Sequence, residues 1–537
     1  MRWTDLARAF PAILILTAGT ALAEKPLSAN DWVTGKGERP PTVSGWRPGD
    51  PVPRDAQKRR SGPVPRPATD LATSGAPGQV GVKRLGGGNA DAVGTLSARL
   101  AGLPVDLWAG STTDVAIRQI HDARARLPAM RVLLRNILMA QLTPPANTGA
   151  TPEGAFLDAR ADRLTNNGTV QDARALLRAA GSGDRDRFHR LFNIALLQGQ
   201  DEGVCTTMTR APALAPDLAS RVYCLAQQGD WMAAALVMQG GRDMGVIDPA
   251  TVALLVRYLD DGYADMTEQL PWPKPLTPLG FRLFEGIGQP ILTTELPLPF
   301  AVADLGENGG WKARLDAAER LARAGAMRPG DLAAIYDEQR PAASGGVWER
   351  VAAYQRLDAA LANGDDAARD AALPAAMAAF GPENLVPMLA PMVAGRIPQT
   401  VPAGDAGLAA LRLRLLAGLP VTPGPDTLPA DAWLARFAVD PATAGAPTDD
   451  PQGIAAMLAD AVNATPVATA TPDPMAAPAG DKATLMLAAI TDVDAGLEGD
   501  FARAARGLAT LVSLGQARPA RQAAVELMIL PRISTPR

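Results

Sequence analysis

The chain has 537 residues and a formal net charge of −4, with 52 Lys or Arg against 56 Asp or Glu. Nucleic-acid binding draws on clustered positive charge, so this balance argues against a nucleic-acid partner. Alanine and leucine dominate while aromatic residues make up only 4%, a composition that favours helices over strands.

The first 23 residues have the three parts of a cleavable secretory signal. Arg2 and Arg8 precede an uncharged stretch, Ala9 to Ala23, which ends in the small-residue sequence Ala21-Leu22-Ala23. The stretch falls short of the roughly 20 apolar residues that a membrane-spanning helix needs. We therefore predict export to the periplasm, with no stable membrane insertion after cleavage.

Residues 24–88 are predicted to form a disordered, Pro- and Gly-rich tail. Residues 24–84 hold eleven Lys or Arg against six Asp or Glu, and Pro51-Val52-Pro53-Arg54 recurs as Pro63-Val64-Pro65-Arg66. Two interpretations stay open. The tail is a solvated spacer, or it engages an acidic surface, either the body of this chain or an anionic envelope polymer, through contacts that salt weakens.

Residues 89–439 are predicted to form a helical body. Pro128 suits a first helical turn, and apolar residues follow it at i, i+3, i+4, i+7 and i+8, while Arg131 and Arg135 point elsewhere. The predicted buried face consists of Met130, Leu133, Leu134, Ile137 and Leu138.

A second amphipathic helix is predicted from Trp311 to Ala324, with Gly325 as its C-terminal stop. Its charged residues pair at i, i+4 and predict a solvated face: Lys312–Asp316, Asp316–Arg320 and Glu319–Arg323. The opposite stripe contains Trp311, Leu315, Ala318 and Ala322. Another such helix is predicted from Val347 to Leu361.

A recurring junction indicates helical hairpins. One helix ends at glycine and an alanine-rich helix follows within a few residues at Gly229-Asp230, at Gly364-Asp365 and, more loosely, at Leu514-Gly515. Helix-hairpin repeats use this arrangement. The sequence therefore predicts an all-α fold of helical-hairpin repeats, a TPR-like α-solenoid.

Two stretches interrupt this pattern. Residues 270–299 contain clustered prolines and are predicted to wrap across the helices or act as a hinge, and residues 440–480 have the composition of an Ala/Pro/Thr-rich linker. The last segment, 481–537, is predicted to be helical and to close the array or dock back on it.

The two cysteines, Cys205 and Cys224, lie in one short region and can pair with each other. An oxidising periplasm permits a disulfide, and the spacing does not match a zinc site. We predict a disulfide that joins two neighbouring helices; two buried free thiols are the alternative.

Three stretches resemble a family of uncharacterised exported bacterial envelope proteins: Gly229-Asp230 with its helices, the run Trp311 to Gly325, and Pro341 to Trp348. This resemblance implies no known activity. The hairpins between about residues 91 and 395 are also distantly similar in architecture to the helical superhelix of soluble lytic transglycosylases. The catalytic domain of those enzymes needs a Glu followed by Ser, and the chain has no Glu-Ser pair.

The sequence also lacks the motifs of common enzyme classes, including Gly-x-Ser-x-Gly, Ser-x-x-Lys, His-Glu-x-x-His and the phosphate-binding Gly-x4-Gly-Lys. We expect no cofactor and no metal site. The candidate partner-binding residues are Trp231, Trp311 and Trp348, which could line a binding face, and Ser344, which begins a possible anion-binding helix start. Core packing and ordinary helix capping are the alternatives.

These observations favour a non-enzymatic periplasmic scaffold that binds an envelope protein partner along a helical-repeat surface. The alternative is a peptidoglycan-associated factor, either a glycan-binding protein or a cell-wall enzyme without a recognisable motif.

Overall fold

The computed structural model describes residues 89–260, 269–306, 309–464 and 481–534. The predicted signal at 1–23, the predicted tail at 24–88 and the second part of the predicted linker, 465–480, lie outside these residues.

The prediction of an all-α fold is confirmed. Extended structure in the described ranges amounts to one parallel pair of two-residue strands, β1 Leu96–Ser97 and β2 Ala140–Gln141, and two isolated bridges. The α-helices of these ranges are, in chain order, α1 Ala98–Ala101, α2 Thr113–Asp122, α3 Pro128–Met139, α4 Ala155–Asn166, α5 Val170–Ala179, α6 Arg185–Gln198, α7 Glu202–Arg210, α8 Leu218–Gln227, α9 Trp231–Asp243, α10 Pro249–Leu259, α11 Pro278–Gly286, α12 Trp311–Arg323, α13 Pro329–Asp337, α14 Gly346–Asn363, α15 Asp366–Phe380, α16 Val386–Val393, α17 Gly404–Leu416, α18 Pro429–Val439, α19 Ile454–Asn463, α20 Lys482–Asp494, α21 Phe501–Ser513 and α22 Ala517–Ser534.

Helix α3 shows how the local sequence determines its structure. Pro128 occupies the first turn, where its missing N–H costs no hydrogen bond. The five apolar residues predicted for its inner face are all buried. The prediction for α12 is confirmed in the same way, because its apolar stripe is buried and Gly325 follows it with a positive φ of 73°.

The predicted junctions are also present. Gly229 and Gly364 adopt positive φ angles of 81° and 65°, which glycine accepts without a side-chain clash. The aspartate after each of them caps the next helix, since Asp230 accepts the N–H of Ala233 and Asp365 accepts that of Ala368. The helices on either side of each junction pack together as hairpins: α8 with α9, α14 with α15 and, at the third junction, α21 with α22.

The core has two clusters. The second cluster is built from helices α6 to α11 with Leu296 and Phe300, and the first contains the helices before and after this segment. Helix α6 joins them, since Phe192 packs in the second cluster and Leu191 in the first. The stretch 270–299 holds helix α11, whose Phe281 and Phe284 are buried in the second cluster.

The C-terminal segment docks on the first helices, one of the two arrangements that the sequence predicted. Helix α20 packs on α2 and α3, and α22 packs on α3 and α17. Ser111 donates a hydrogen bond of 2.7 Å to Asp481, and the side-chain amide of Gln516 donates one of 2.8 Å to the Gly102 carbonyl. In a solenoid, each repeat contacts only its neighbours along the chain. The contacts of the C-terminal segment also join the two ends of the described sequence, so the solenoid itself stays a prediction.

The prediction of a linker over 440–480 is wrong for residues 454–463. Residues 454–463 form helix α19, which packs on α21 and α22 and buries Leu458 and Val462. These two residues are four apart and therefore lie on the same side of the helix. The burial of these two side chains stabilises the helix, although the surrounding Ala- and Pro-rich composition is typical of a linker.

Cys205 of α7 and Cys224 of α8 form a disulfide, as predicted. Both side chains are buried in the second core cluster, and the bond joins two helices that pack together. Disulfides persist in oxidising compartments.

We expect reduction of this disulfide to lower the free energy of unfolding by about 3 kcal/mol, because the bond restricts a loop of this length in the unfolded chain. Chemical denaturation with and without a thiol reductant measures the difference. The double variant Cys205→Ala/Cys224→Ala is the control, since its unfolding should not respond to reductant. Coincident transitions of the wild type under both conditions would contradict the prediction.

Within the described ranges, every helix is too short or too polar to cross a membrane.

Candidate functional site: an exposed apolar helix face

Helix α9 carries an unusual apolar surface. It starts after the capping residue Asp230, and its first charged residue is Arg242, near its end. It packs on α8 and α10, yet Ala234 and Gly241 are its only fully buried residues. The rest of this apolar helix therefore remains partly or fully accessible.

Large hydrophobic side chains concentrate on its accessible side. Trp231 is 50% exposed, Leu236 74% and Met232 83%, and Met244 and Val246 are exposed just beyond the helix. Met232 and Leu236 are four residues apart and thus lie on the same side. We name these five residues the α9 face. Single exposed hydrophobic residues are common on proteins, whereas contiguous apolar patches are typical of interaction sites, which makes the α9 face a candidate.

The chemistry of the α9 face suits binding. It has no carboxylate, imidazole, thiol or hydroxyl group that could transfer a proton or attack a substrate. Methionine side chains are flexible and polarisable and adapt to different apolar partners, and tryptophan is a frequent anchor of interfaces. Arg242 and Asp243, which form an ion pair at 3.1 Å, lie at the end of the helix.

The other predicted binding residues lie in a different part of the fold. Trp311 is only 8% exposed, and its indole N–H donates a hydrogen bond of 2.8 Å to the Ile335 carbonyl. The ring of Trp348 packs against it, with 5.1 Å between the ring centroids. Trp311 and Trp348 therefore pack in the first core cluster, which agrees with the core-packing alternative for these two residues. Helix α9, which carries Trp231, packs in the second cluster.

Ser344 is exposed and lies before α14, which starts at Gly346. The N-cap residue of that helix is Gly345, and no side chain caps it. The capping alternative for Ser344 is therefore wrong, because the serine precedes the cap position.

The prediction of a solvated charged face on α12 is wrong for Glu319, which is 1% exposed. Its carboxylate accepts hydrogen bonds of 2.8 and 2.6 Å from Arg350, 2.9 Å from the Tyr336 hydroxyl and 3.1 Å from Arg323. Burial and the adjacent Glu319 charge raise the pKa of Tyr336, so its hydroxyl stays protonated and donates. These four residues form a buried polar network. Of the predicted pairs, Lys312–Asp316 does form on the surface, at 2.6 Å.

Metal-binding side chains do not gather in the part of the chain that the structure describes, where no three His, Cys, Asp or Glu residues could hold an ion together.

Comparisons of the chain with models of protein families, with curated proteins and with solved structures find no match. The similarity to envelope proteins and to the superhelix of lytic transglycosylases stays a prediction.

Proposed function

We propose that the protein is a non-enzymatic periplasmic scaffold that binds a protein partner through the α9 face. The observation that carries this proposal is the exposure of Trp231, Met232 and Leu236 on one helix, because water contact with such side chains is unfavourable and a partner would remove it.

The chemistry of the α9 face also specifies the partner. A convex, uncharged helix surface fits an apolar groove or the apolar side of an amphipathic helix. Trp231 would enter a pocket as the anchor, and the methionines would adjust to its surroundings.

The periplasmic location is supported by the disulfide between Cys205 and Cys224, which an oxidising compartment maintains. The predicted secretory signal at residues 1–23 supports the same location.

We expect a photo-crosslinking amino acid at position 236, introduced in the exporting cell, to form a covalent adduct with one defined protein. The same group at position 118, an exposed arginine of α2, should not form this adduct. Adding Met232→Glu should reduce the adduct from position 236 about tenfold or more, since loss of a central contact costs around 2 kcal/mol of binding. Met232 is exposed, so this substitution should change the folding free energy by less than about 0.5 kcal/mol.

Equal adducts from positions 236 and 118, or no effect of Met232→Glu, would contradict the α9 face as the binding surface. Incubation with purified cell-wall sacculi tests the alternative of a peptidoglycan-associated enzyme. Release of soluble glycan fragments would contradict a purely scaffolding role.

A further inference from the structure

A partly enclosed cavity of about 380 Å³ lies where three distant parts of the chain meet. Helix α3 forms one wall, α12 and α16 form the second, and α22 forms the third. Its volume falls in the range of about 300–1,000 Å³ that is usual for small-molecule sites. The cavity belongs to the first core cluster, so it is separate from the α9 face and independent of the proposed function.

The lining of the cavity combines apolar walls with three cations. The walls come from Leu127, Met388, Leu530 and Ile533, among others. The charged lining residues are Arg126, Arg131 and Arg323, and no carboxylate lines the cavity.

Two of these arginines have acidic partners. Arg126 pairs with Glu498 at 2.6 Å, and Arg323 pairs with Glu383 at 2.7 Å and with Glu319 at 3.1 Å. Their charges are largely compensated by the protein itself.

Arg131 differs from the other two. It donates hydrogen bonds to the carbonyls of Arg323 at 2.6 Å and Ala125 at 3.3 Å, and no described carboxylate lies within 4.0 Å of it. A guanidinium has five N–H groups, so the Nη2 edge of Arg131 is available. Burial lowers the pKa of Arg131, and Arg126 acts in the same direction while Asp494 and Glu526 oppose it.

The surroundings keep Arg131 at this cavity. A Cβ atom at Gly325 would stand 3.1 Å from the Arg131 Cδ, so glycine leaves the room that the side chain needs. The nearest carboxylates are already engaged with the start of α3. Asp494 accepts the Leu127 N–H at 3.0 Å, and Glu526 accepts the Ala129 N–H at the same distance.

We propose that this cavity binds a small carboxylate with an apolar body. The carboxylate pairs with the Nη2 edge of Arg131, and the apolar body lies among Leu127, Met388 and Ile533. A guanidinium and a carboxylate form charge-assisted hydrogen bonds, which are roughly twice as strong as neutral ones. The apolar walls distinguish this ligand from an inorganic anion.

Isothermal titration calorimetry of the full chain with decanoate tests the proposal, with decanol as the neutral analogue and inorganic phosphate as the anion without an apolar body. We expect decanoate to bind with one site per chain, and decanol and phosphate to bind at least about tenfold more weakly. Arg131→Met should weaken decanoate binding at least about tenfold, whereas Arg118→Met, at an exposed arginine, should leave it unchanged.

Because Arg131 also bonds to the backbone, circular dichroism must show that Arg131→Met is folded. If it is not, Ile533→Trp provides the second variant, since it fills the cavity at a partly exposed position and keeps Arg131. It should also weaken decanoate binding at least about tenfold. No binding of decanoate at about 1 mM, equal affinity for decanol, equal affinity for phosphate, or full binding by Ile533→Trp would overturn the proposal.

Discussion

Glu319→Ala is expected to lower the free energy of unfolding by about 3–5 kcal/mol. The substitution leaves the buried guanidinium of Arg350 without its two hydrogen bonds to Glu319 and with only a longer contact of 3.8 Å to Glu383. The hydroxyl of Tyr336 loses its acceptor. A buried charge that has lost its hydrogen-bonded partner is far more costly than a lost surface pair. Chemical denaturation followed by circular dichroism measures the change.

Asp316→Ala is the matched control for this experiment. Asp316 lies on the same helix, one turn earlier, and pairs with Lys312 on the surface. Its loss should cost less than about 1 kcal/mol, because solvent screens exposed pairs. The double variant Glu319→Leu/Arg350→Met should recover part of the stability, since it removes both charges together. A cost below 1 kcal/mol for Glu319→Ala would show that water reaches Arg350.

The contrast between Glu319 and Asp316 shows which ion pairs the local sequence could predict and which it could not. Both residues have an arginine or lysine at i±4, and this local spacing predicts surface pairs for both. The burial of Glu319 depends on Tyr336 and Arg350, which lie 17 and 31 residues further along the chain. No periodicity within α12 contains that information.

Local features were predictable where their causes are local. The Gly-Asp junctions combine a positive-φ glycine with a capping aspartate, and both act within a few residues. The docking of α20 and α22 on α3 joins residues more than 360 positions apart. Such contacts arise from the packing of whole helices. The sequence therefore predicted only that the C-terminal segment either closes the array or docks back on it.

The α9 face was predicted only in part. Trp231 was a candidate because tryptophans anchor interfaces, but Met232 and Leu236 were not singled out. A helix without charge over its first eleven residues is ordinarily buried on all sides. In the described ranges this helix packs mainly on α8 and α10, and the exposure that results depends on tertiary packing.

Glu526 of α22 is a buried carboxylate at the start of α3 and is only 2% exposed. It accepts the Ala129 N–H through both oxygens, at 3.2 and 3.0 Å, and lies near Gln522, Arg131 and Asp494. Burial raises the pKa of Glu526 from 4.5 to about 8, although the hydrogen bonds to Ala129 and Gln522 and the charge of Arg131 oppose this shift. The folded protein therefore holds a proton at neutral pH that the unfolded chain has released.

We expect this proton to make the wild type lose stability as pH rises from about 4.5 to about 8, by up to roughly 1.4 kcal/mol per pH unit. The sign follows from the proton count, because the folded state binds one proton more than the unfolded state in this interval. Glu526→Gln cannot titrate, so its free energy of unfolding should exceed that of the wild type by a margin that grows with pH and levels off above pH 8. Glu498→Gln, at an exposed glutamate of the same region, should instead follow the wild type with pH. Parallel curves for the wild type and Glu526→Gln, measured by denaturation between pH 5 and 9, would mean that Glu526 is ionised and solvated in the folded protein.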